Sequence, residues 1–396
     1  MEAYFIHLDL LTGMEVVLLG LIGGTLSGFI GSGGAFFMTP GMMNLGVSGA
    51  VAVGTNITHK FGKAMMGARK HSELGHVDRK LGAYLIFTSY VGIWIANTVI
   101  HALFHTEGGG HGESSGSAAA DLYINTVFVV LLLIVSISVL CDTLASLRAA
   151  KTGKAGCGGP SRKITDFLAR WQLPPMIRFP VADVRVSLWL ILAVGLAVGY
   201  MAGTIGVGGF LGVPAMIYVF GVPTAVAAGT ELFLAMFMGA WGAVLNAFRG
   251  FVDIRLMLLL YLGSLVGIYI GAYGTKVVKE EMIRLVTAVI ILLCVFSRLI
   301  AIPICLRQLN WMAFDPGYDT YFNGASKALL YISGLGGCGI ILFHVFRAYW
   351  QRHRVQARLL FRKLPSVESG RQELPAPTDR GGSIEEESSH VRGDSV

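Results

Sequence analysis

Glu231 opens an apolar run that contains no other ionisable side chain, Leu232 to Leu245 (LFLAMFMGAWGAVL). A carboxylate inside such a segment is costly in lipid and by default marks function. The chemistry it suits is reversible protonation, and so the coupling of a movement to protons. A carboxylate hydrated at a helix end is the competing reading. Asn56, Lys60 and Lys63 stand at i, i+4 and i+7, on one face of a helix. Two cations beside an amide attract an anion, unless both snorkel to the membrane surface. Two glycine clusters complete the set: Gly31, Ser32, Gly33 and Gly34 precede Pro40, and Gly206, Gly208 and Gly209 precede Pro214. Glycine disfavours a regular helix and lets a ligand approach the main chain, while proline removes a donor and interrupts the hydrogen-bond ladder. In lipid, backbone opened this way is tolerated only inside protein or along a wet cavity. N–H groups freed at the start of a following half-helix favour an anion. Close helix packing at small residues is the alternative use of such glycines. A nucleotide loop is excluded, since no Lys-Ser/Thr follows Gly206-Val-Gly-Gly and no alternation of strands and helices surrounds it.

These constellations come in pairs. Gly28-Phe-Ile-Gly-Ser-Gly-Gly34 recurs 175 positions on as Gly203-Thr-Ile-Gly-Val-Gly-Gly209. The same offset carries Val51-Ala-Val-Gly-Thr55 onto Val226-Ala-Ala-Gly-Thr230, and Gly75-His-Val-Asp78 onto Gly250-Phe-Val-Asp253. Ordered matches at one offset are the mark of an internal duplication. Asn56 and Glu231 therefore occupy one place in the unit, each after a Gly-Thr pair. Asp78 and Asp253 are expected at helix starts, where a carboxylate accepts main-chain N–H groups. Matching Gly/Pro interruptions in two repeats point to the binding site of a transporter. Four spans separate equivalent points, so the copies are expected to run in the same direction. A glycine segment re-entrant in one copy only would invert them.

The elements that must position these groups are helices in a bilayer. Of 396 residues, 54% are apolar and 14% charged, where soluble domains carry about 25% charged residues. Nine apolar segments are predicted, at 14–36, 46–67, 82–104, 123–145, 187–213, 222–247, 255–275, 283–302 and 327–348. About 20 apolar residues match the hydrocarbon core of a membrane. The net charge of +7 lies largely at Arg148 to Arg185 and at Arg347 to Lys363. Juxtamembrane Lys and Arg account for it without nucleic acid. The five cysteines form no C-x-x-C and imply no disulfide framework. The His and Glu residues of the Gly/Ser-rich connector 105–121 lack the fixed geometry a metal needs, so no metal or cofactor is expected. The acidic N-terminus has no basic n-region, and the first helix is expected to be retained. With the N-terminus in the cytoplasm, the basic loops Arg69 to Lys80 and Ser146 to Arg185 fall inside and the acidic loop Thr106 to Asp121 outside. Nine spans would then leave the basic stretch after Arg347 outside, against the same rule. The number of true crossings decides that conflict.

Together the glycine-proline openings, the Gly-Thr pairs and the duplicated unit resemble the sulfite exporter TauE/SafE family of membrane permeases, over about residues 14 to 300. The resemblance implies an inner-membrane carrier of sulfite, sulfonates and related organic anions. The family's run of small residues before a proline is seen at Gly31 to Pro40 and Gly206 to Pro214, while its Gly-Thr-Ser stands here as Gly54-Thr55-Asn56 and Gly229-Thr230-Glu231.

The expected fold is all-α and polytopic: two homologous four-helix transmembrane repeats with broken Gly/Pro helices, plus an extra C-terminal helix. Residues 1–145 form the first repeat, 146–186 a basic cytoplasmic linker, 187–302 the second repeat, 303–350 the extra span and 351–396 a polar, disordered tail. The expected function is secondary transport of a small anion, with no enzymatic step, by a chain whose partners are its solute and the bilayer and which is free to form a homo-oligomer. Backbone amides at Gly31, Gly33, Gly34, Gly206, Gly208 and Gly209, with Ser32, Thr55, Asn56, Lys60 and Thr230, would hold the solute. Glu231 would couple it to protons, and Pro40 and Pro214 would break the helices. A carrier of a carboxylate or cation, or a non-transporting subunit of a larger complex, is the alternative.

Overall fold

The computed structural model describes residues 6, 8–30, 34–105, 114–151, 174–206, 208–278 and 280–363. Residues 1–348 form one compact unit and 349–396 a second; every contact named below lies within the first. The helices are α1 (Leu10–Ile30), α2 (Ala35–Asn44), α3 (Gly49–Glu73), α4 (Arg79–Phe104) and α5 (Ser114–Lys151). A two-stranded antiparallel hairpin follows, β1 (Met176–Phe179) and β2 (Val184–Ser187). Then come α6 (Leu188–Ile205), α7 (Gly209–Pro214) with a wider π turn over Ala215–Val219, α8 (Thr224–Phe248), α9 (Ile254–Val277), α10 (Glu280–Gln308) and α11 (Gly317–Lys363). Among the described residues, 8 helices are long and apolar enough to cross a membrane. Helix α3 is not one of them, because Asn56, His59, Lys60 and Lys63 lower its hydropathy; it is instead wrapped by other helices.

Two expected spans are each divided between two helices. Residues 14–36 divide between α1 and α2, and 187–213 between α6 and α7. The prolines are not the breaks: Pro40 lies inside α2 and Pro214 inside α7. At the second break Gly206 adopts φ 76°, a left-handed conformation that stops α6. Once glycine has ended the first helix, proline is tolerated in the next, where neighbouring helices and a local π turn re-satisfy the freed groups. Helix α11 also continues to Lys363, into the stretch expected to be disordered, because residues 351–363 contain no Gly or Pro to stop it.

Packing reveals the directions. Helix α2 folds back on α1: Gly34 lies against Gly23 and Ser27, and Gly41 against Leu19. The pair thus returns to the end of the bundle where α1 began. Helix α1 runs parallel to α9, with Gly20, Gly24 and Gly28 facing Leu260, Ser264 and Ile268. Helix α6 runs parallel to α4, with Gly195, Gly199 and Gly203 facing Leu85, Ser89 and Ile93. Helices α3 and α8 cross antiparallel. Thr55 near the start of α3 meets Asp253 beyond the end of α8, and Thr230 near the start of α8 meets Asp78 beyond the end of α3. Helix α5 runs antiparallel to α10, through Ser136 with Ala288 and Asn125 with Cys305.

The two halves therefore run in opposite directions, contrary to the parallel arrangement expected. In each half the first helix is followed by a shorter one that folds back on it, leaving an odd number of full crossings per half. The same count puts the start of α1 at the end opposite the basic loop Arg69 to Lys80, not beside it. Helix α11 runs antiparallel to α10, Ser326 meeting Ser297 and Ser333 meeting Cys294. Its Ile341 lies beside Gly274, near the end of α9, so Arg347 arrives at the same end as the basic loop. The conflict over the C-terminal charges disappears.

Candidate functional site

At the centre of the bundle α3 and α8 touch, Ile57 against Gly242 and Phe61 against Gly239. Here Lys60 Nζ lies 3.7 Å from Glu231 Oε1, their side chains 9% and 0% exposed. That separation is beyond hydrogen-bond length. The Lys60 ammonium and both Glu231 oxygens are buried without a hydrogen bond. The carboxylate faces Gly212 of α7, where an added Cβ would stand 2.4 Å from Oε2. Charges this buried attract one another strongly, yet the loss of water from both offsets much of the gain. Polar groups buried with donors and acceptors unmet cost free energy, so this pair is a strained point in the bundle.

One turn earlier on α3, Asn56 Nδ2 donates to Thr39 Oγ1 of α2 at 2.8 Å, and Thr39 Oγ1 donates to the Ile205 carbonyl at 3.1 Å. Ile205 ends α6, and a Cβ on the next residue, Gly206, would stand 2.9 Å from Asn56 Nδ2. Asn56 thus binds the return helix of one half to the broken helix of the other. Between Asn56 and Lys60, His59 Nε2 shares a 2.9 Å hydrogen bond with Ser264 Oγ, and its ring lies 4.5 Å from that of Tyr261. His59 is fully buried.

Of the residues singled out in the sequence, Asn56, Lys60, Gly206 and Glu231 are drawn together around the α3–α8 crossing and the second helix break. Gly208 precedes α7 and its carbonyl accepts the N–H groups of Leu211 and Gly212. Gly209 begins that helix and is buried. Gly34 packs on Gly23 and Ser27 at the start of α2. Gly31, Ser32 and Gly33 lie outside the described residues. Thr55 and Thr230 turn elsewhere. Their hydroxyls accept the N–H groups of Asp253 at 3.1 Å and Asp78 at 3.0 Å, fastening each half to the other. The two aspartates are the N-caps expected, Asp78 accepting from Leu81 N and Asp253 from Arg255 N and Leu256 N. The sequence reading did not single out His59 or Thr39. His59 carried a readable signal, a titratable ring on the turn between Asn56 and Lys60. Thr39 carried none, since its role depends on α2 folding back.

A bundle of apolar helices, eight of them among the described residues long enough to cross a bilayer, makes this a multi-pass membrane protein. The model of the sulfite exporter TauE/SafE family matches residues 16–298, and the chain belongs to that family. It is similar to the probable membrane transporter protein YjnA of Bacillus subtilis (strain 168), 28% identical over 282 residues, which are 70% of this chain and 96% of that protein. It is also similar to the probable membrane transporter protein YunE of the same organism, 26% identical over 287 residues, 70% of this chain and 94% of the relative. No solved structure matches the chain. Helix α11 lies wholly beyond the region the family model covers.

Proposed function

We propose that this permease is a secondary transporter that carries a small anion across the inner membrane, and that its solute is sulfite, another sulfur oxyanion or a sulfonate. The observation that carries the reading is the Lys60–Glu231 pair, sealed between α3 and α8 with its hydrogen-bonding capacity unmet. An entering anion takes the place of Glu231 beside Lys60, and Glu231 takes up a proton as it is released. For a singly charged anion such as bisulfite or a sulfonate, the charge within the site is then the same before and after, which suits a low-dielectric interior. Asn56, on the same face of α3, supplies an amide to the solute once its bond to Thr39 opens. The antiparallel halves favour alternating access by rocking one against the other around a central site. The positive-inside rule assigns the end bearing Arg69, Lys70, Lys80 and Arg347 to the cytoplasm, and so the start of α1 to the outside. No covalent chemistry is assigned to any residue.

Purified chain in proteoliposomes should show saturable flux of labelled sulfite, with sulfoacetate, sulfate and acetate as competitors in parallel. The Glu231→Gln variant should retain solute binding but lose the dependence of flux on an imposed pH gradient. Indifference to every sulfur anion would remove the proposed solute class, and an unchanged pH dependence would remove the coupling role.

A further inference from the structure

A second polar site lies away from the central pair, at the end of the bundle where α1 begins. A cavity of about 750 Å³ opens there between the α2–α3 connection, α5, α10 and α11, lined by Asn44, Asp121, Asn125, Arg298, Asn323 and Lys327 among others. Arg298 is 1% exposed. Its Nη2 donates to Ser326 Oγ at 2.8 Å and to Asn44 Oδ1, both neutral acceptors. No carboxylate among the described residues lies within the 4.0 Å of an ion pair with it. Of the other charges at the cavity, Lys327 lies 2.9 Å from Glu15 and Arg307 Nε donates to Asp319 at 2.9 Å, while the Asp121 carboxylate is close enough for its charge to act on Arg298. Asp121 accepts the Gly49 N–H at 2.6 Å. Two buried donors, Arg298 Nε and Asn44 Nδ2, and one buried acceptor, Asn125 Oδ1, are without a hydrogen bond.

A buried guanidinium whose hydrogen bonds all go to neutral groups, with Asp121 acting on it only from beyond ion-pair distance, calls for a directly bonded acceptor bearing negative charge. We infer that this cavity is a second anion site, in which Arg298 Nε and Asn44 Nδ2 hold a small oxyanion at the mouth of the transporter. Ser326, one of the groups that orient Arg298, comes from α11, which the family's matched region lacks. The site is thus a feature of this chain's additional helix, and it stands whether or not Lys60 and Glu231 carry the solute. The alternative is a structural pairing of Arg298 with Asp121 through water.

The test is calorimetric titration of sodium sulfate and sodium sulfite into the full chain in lipid nanodiscs, in gluconate buffer. Binding should persist in Lys60→Gln, which disables the central site, and should weaken tenfold or more when Arg298→Gln is added in that background. Asn44→Asp provides the second variant. A carboxylate there gives Arg298 a hydrogen-bonded negative partner, so in the Lys60→Gln background it should abolish oxyanion binding, and it should raise the melting temperature in anion-free buffer. Equal affinity with and without Arg298→Gln in that background, loss of all binding in Lys60→Gln, or a lower melting temperature with binding intact when Asn44→Asp is added would each overturn the inference. Failure of sulfite flux with oxyanion binding intact would instead count only against the proposed transport.

Discussion

The two halves of the transporter share a frame and differ in their chemistry. Gly24 and Gly199 sit against Ser264 and Ser89 in matching ways, and Thr55 and Thr230 hold Asp253 and Asp78. Yet where α3 carries Asn56, His59 and Lys60, the equivalent places on α8 hold Glu231, Leu234 and Ala235. The reason lies in the antiparallel crossing. Groups repeated on α3 and α8 near their contact would bring like charges together in a low-dielectric interior, where repulsion is at its strongest. A cation from one helix and a carboxylate from the other is the arrangement that tolerates charge there. The frame is therefore kept in two copies, and the reactive groups in one.

The largest effect should come from unbalancing this single-copy chemistry. Glu231→Ala leaves Lys60 buried without its partner, and breaking a buried pair in this way costs about 3–5 kcal/mol. Lys60→Met together with Glu231→Leu removes both charges and should recover most of that stability while abolishing flux. Thermal unfolding in one detergent, run beside the proteoliposome assay, reads both. A double variant as unstable as Glu231→Ala would mean that the pair holds the fold together rather than serving transport.

The shared frame gives a smaller and symmetric effect. A Cβ on Gly24 would stand 2.5 Å from the Ser264 carbonyl oxygen, and one on Gly199 2.1 Å from that of Ser89. Neither neighbour is a flexible side-chain tip, so Gly24→Ala and Gly199→Ala must each push two helices apart, at about 1–3 kcal/mol for overpacking. Both should lower the unfolding midpoint by similar amounts. A variant tolerated in one half and ruinous in the other would show that the two seams are not equivalent.

Much of this was legible from residue order. The helical class follows from the apolar runs, and the two aspartate caps were expected at Asp78 and Asp253. Glu231 and Lys60 stood out as ionisable groups in apolar or helical settings. Arg298 gave the same signal inside the segment 283–302, masked by its nearness to the expected end of that segment. The direction of the halves was not legible. Whether α1 crosses or doubles back depends on Gly34 and Gly41 docking against Gly23 and Leu19, a tertiary contact with no local pattern. Proline suggested the break because it disrupts an isolated helix, but α2 continues through Pro40 under the support of its neighbours.

The threonines show the same gap between pattern and placement, and they give the finest test of the comparison. A hydroxyl beside an amide or carboxylate reads as a solute ligand, whereas here each accepts a buried main-chain N–H from the opposite half. Thr55→Val and Thr230→Val keep the side-chain volume and delete that acceptor. Each should cost on the order of 1 kcal/mol. Because the two links lie at opposite ends of the crossing, their effects should add in the double variant. Equal and additive shifts in the unfolding midpoint, with sulfite affinity unchanged, are the expected result. A loss of sulfite affinity larger than the loss of stability would return the hydroxyl in question to the solute site, and a marked inequality between the two variants would mean that the frame itself is not balanced.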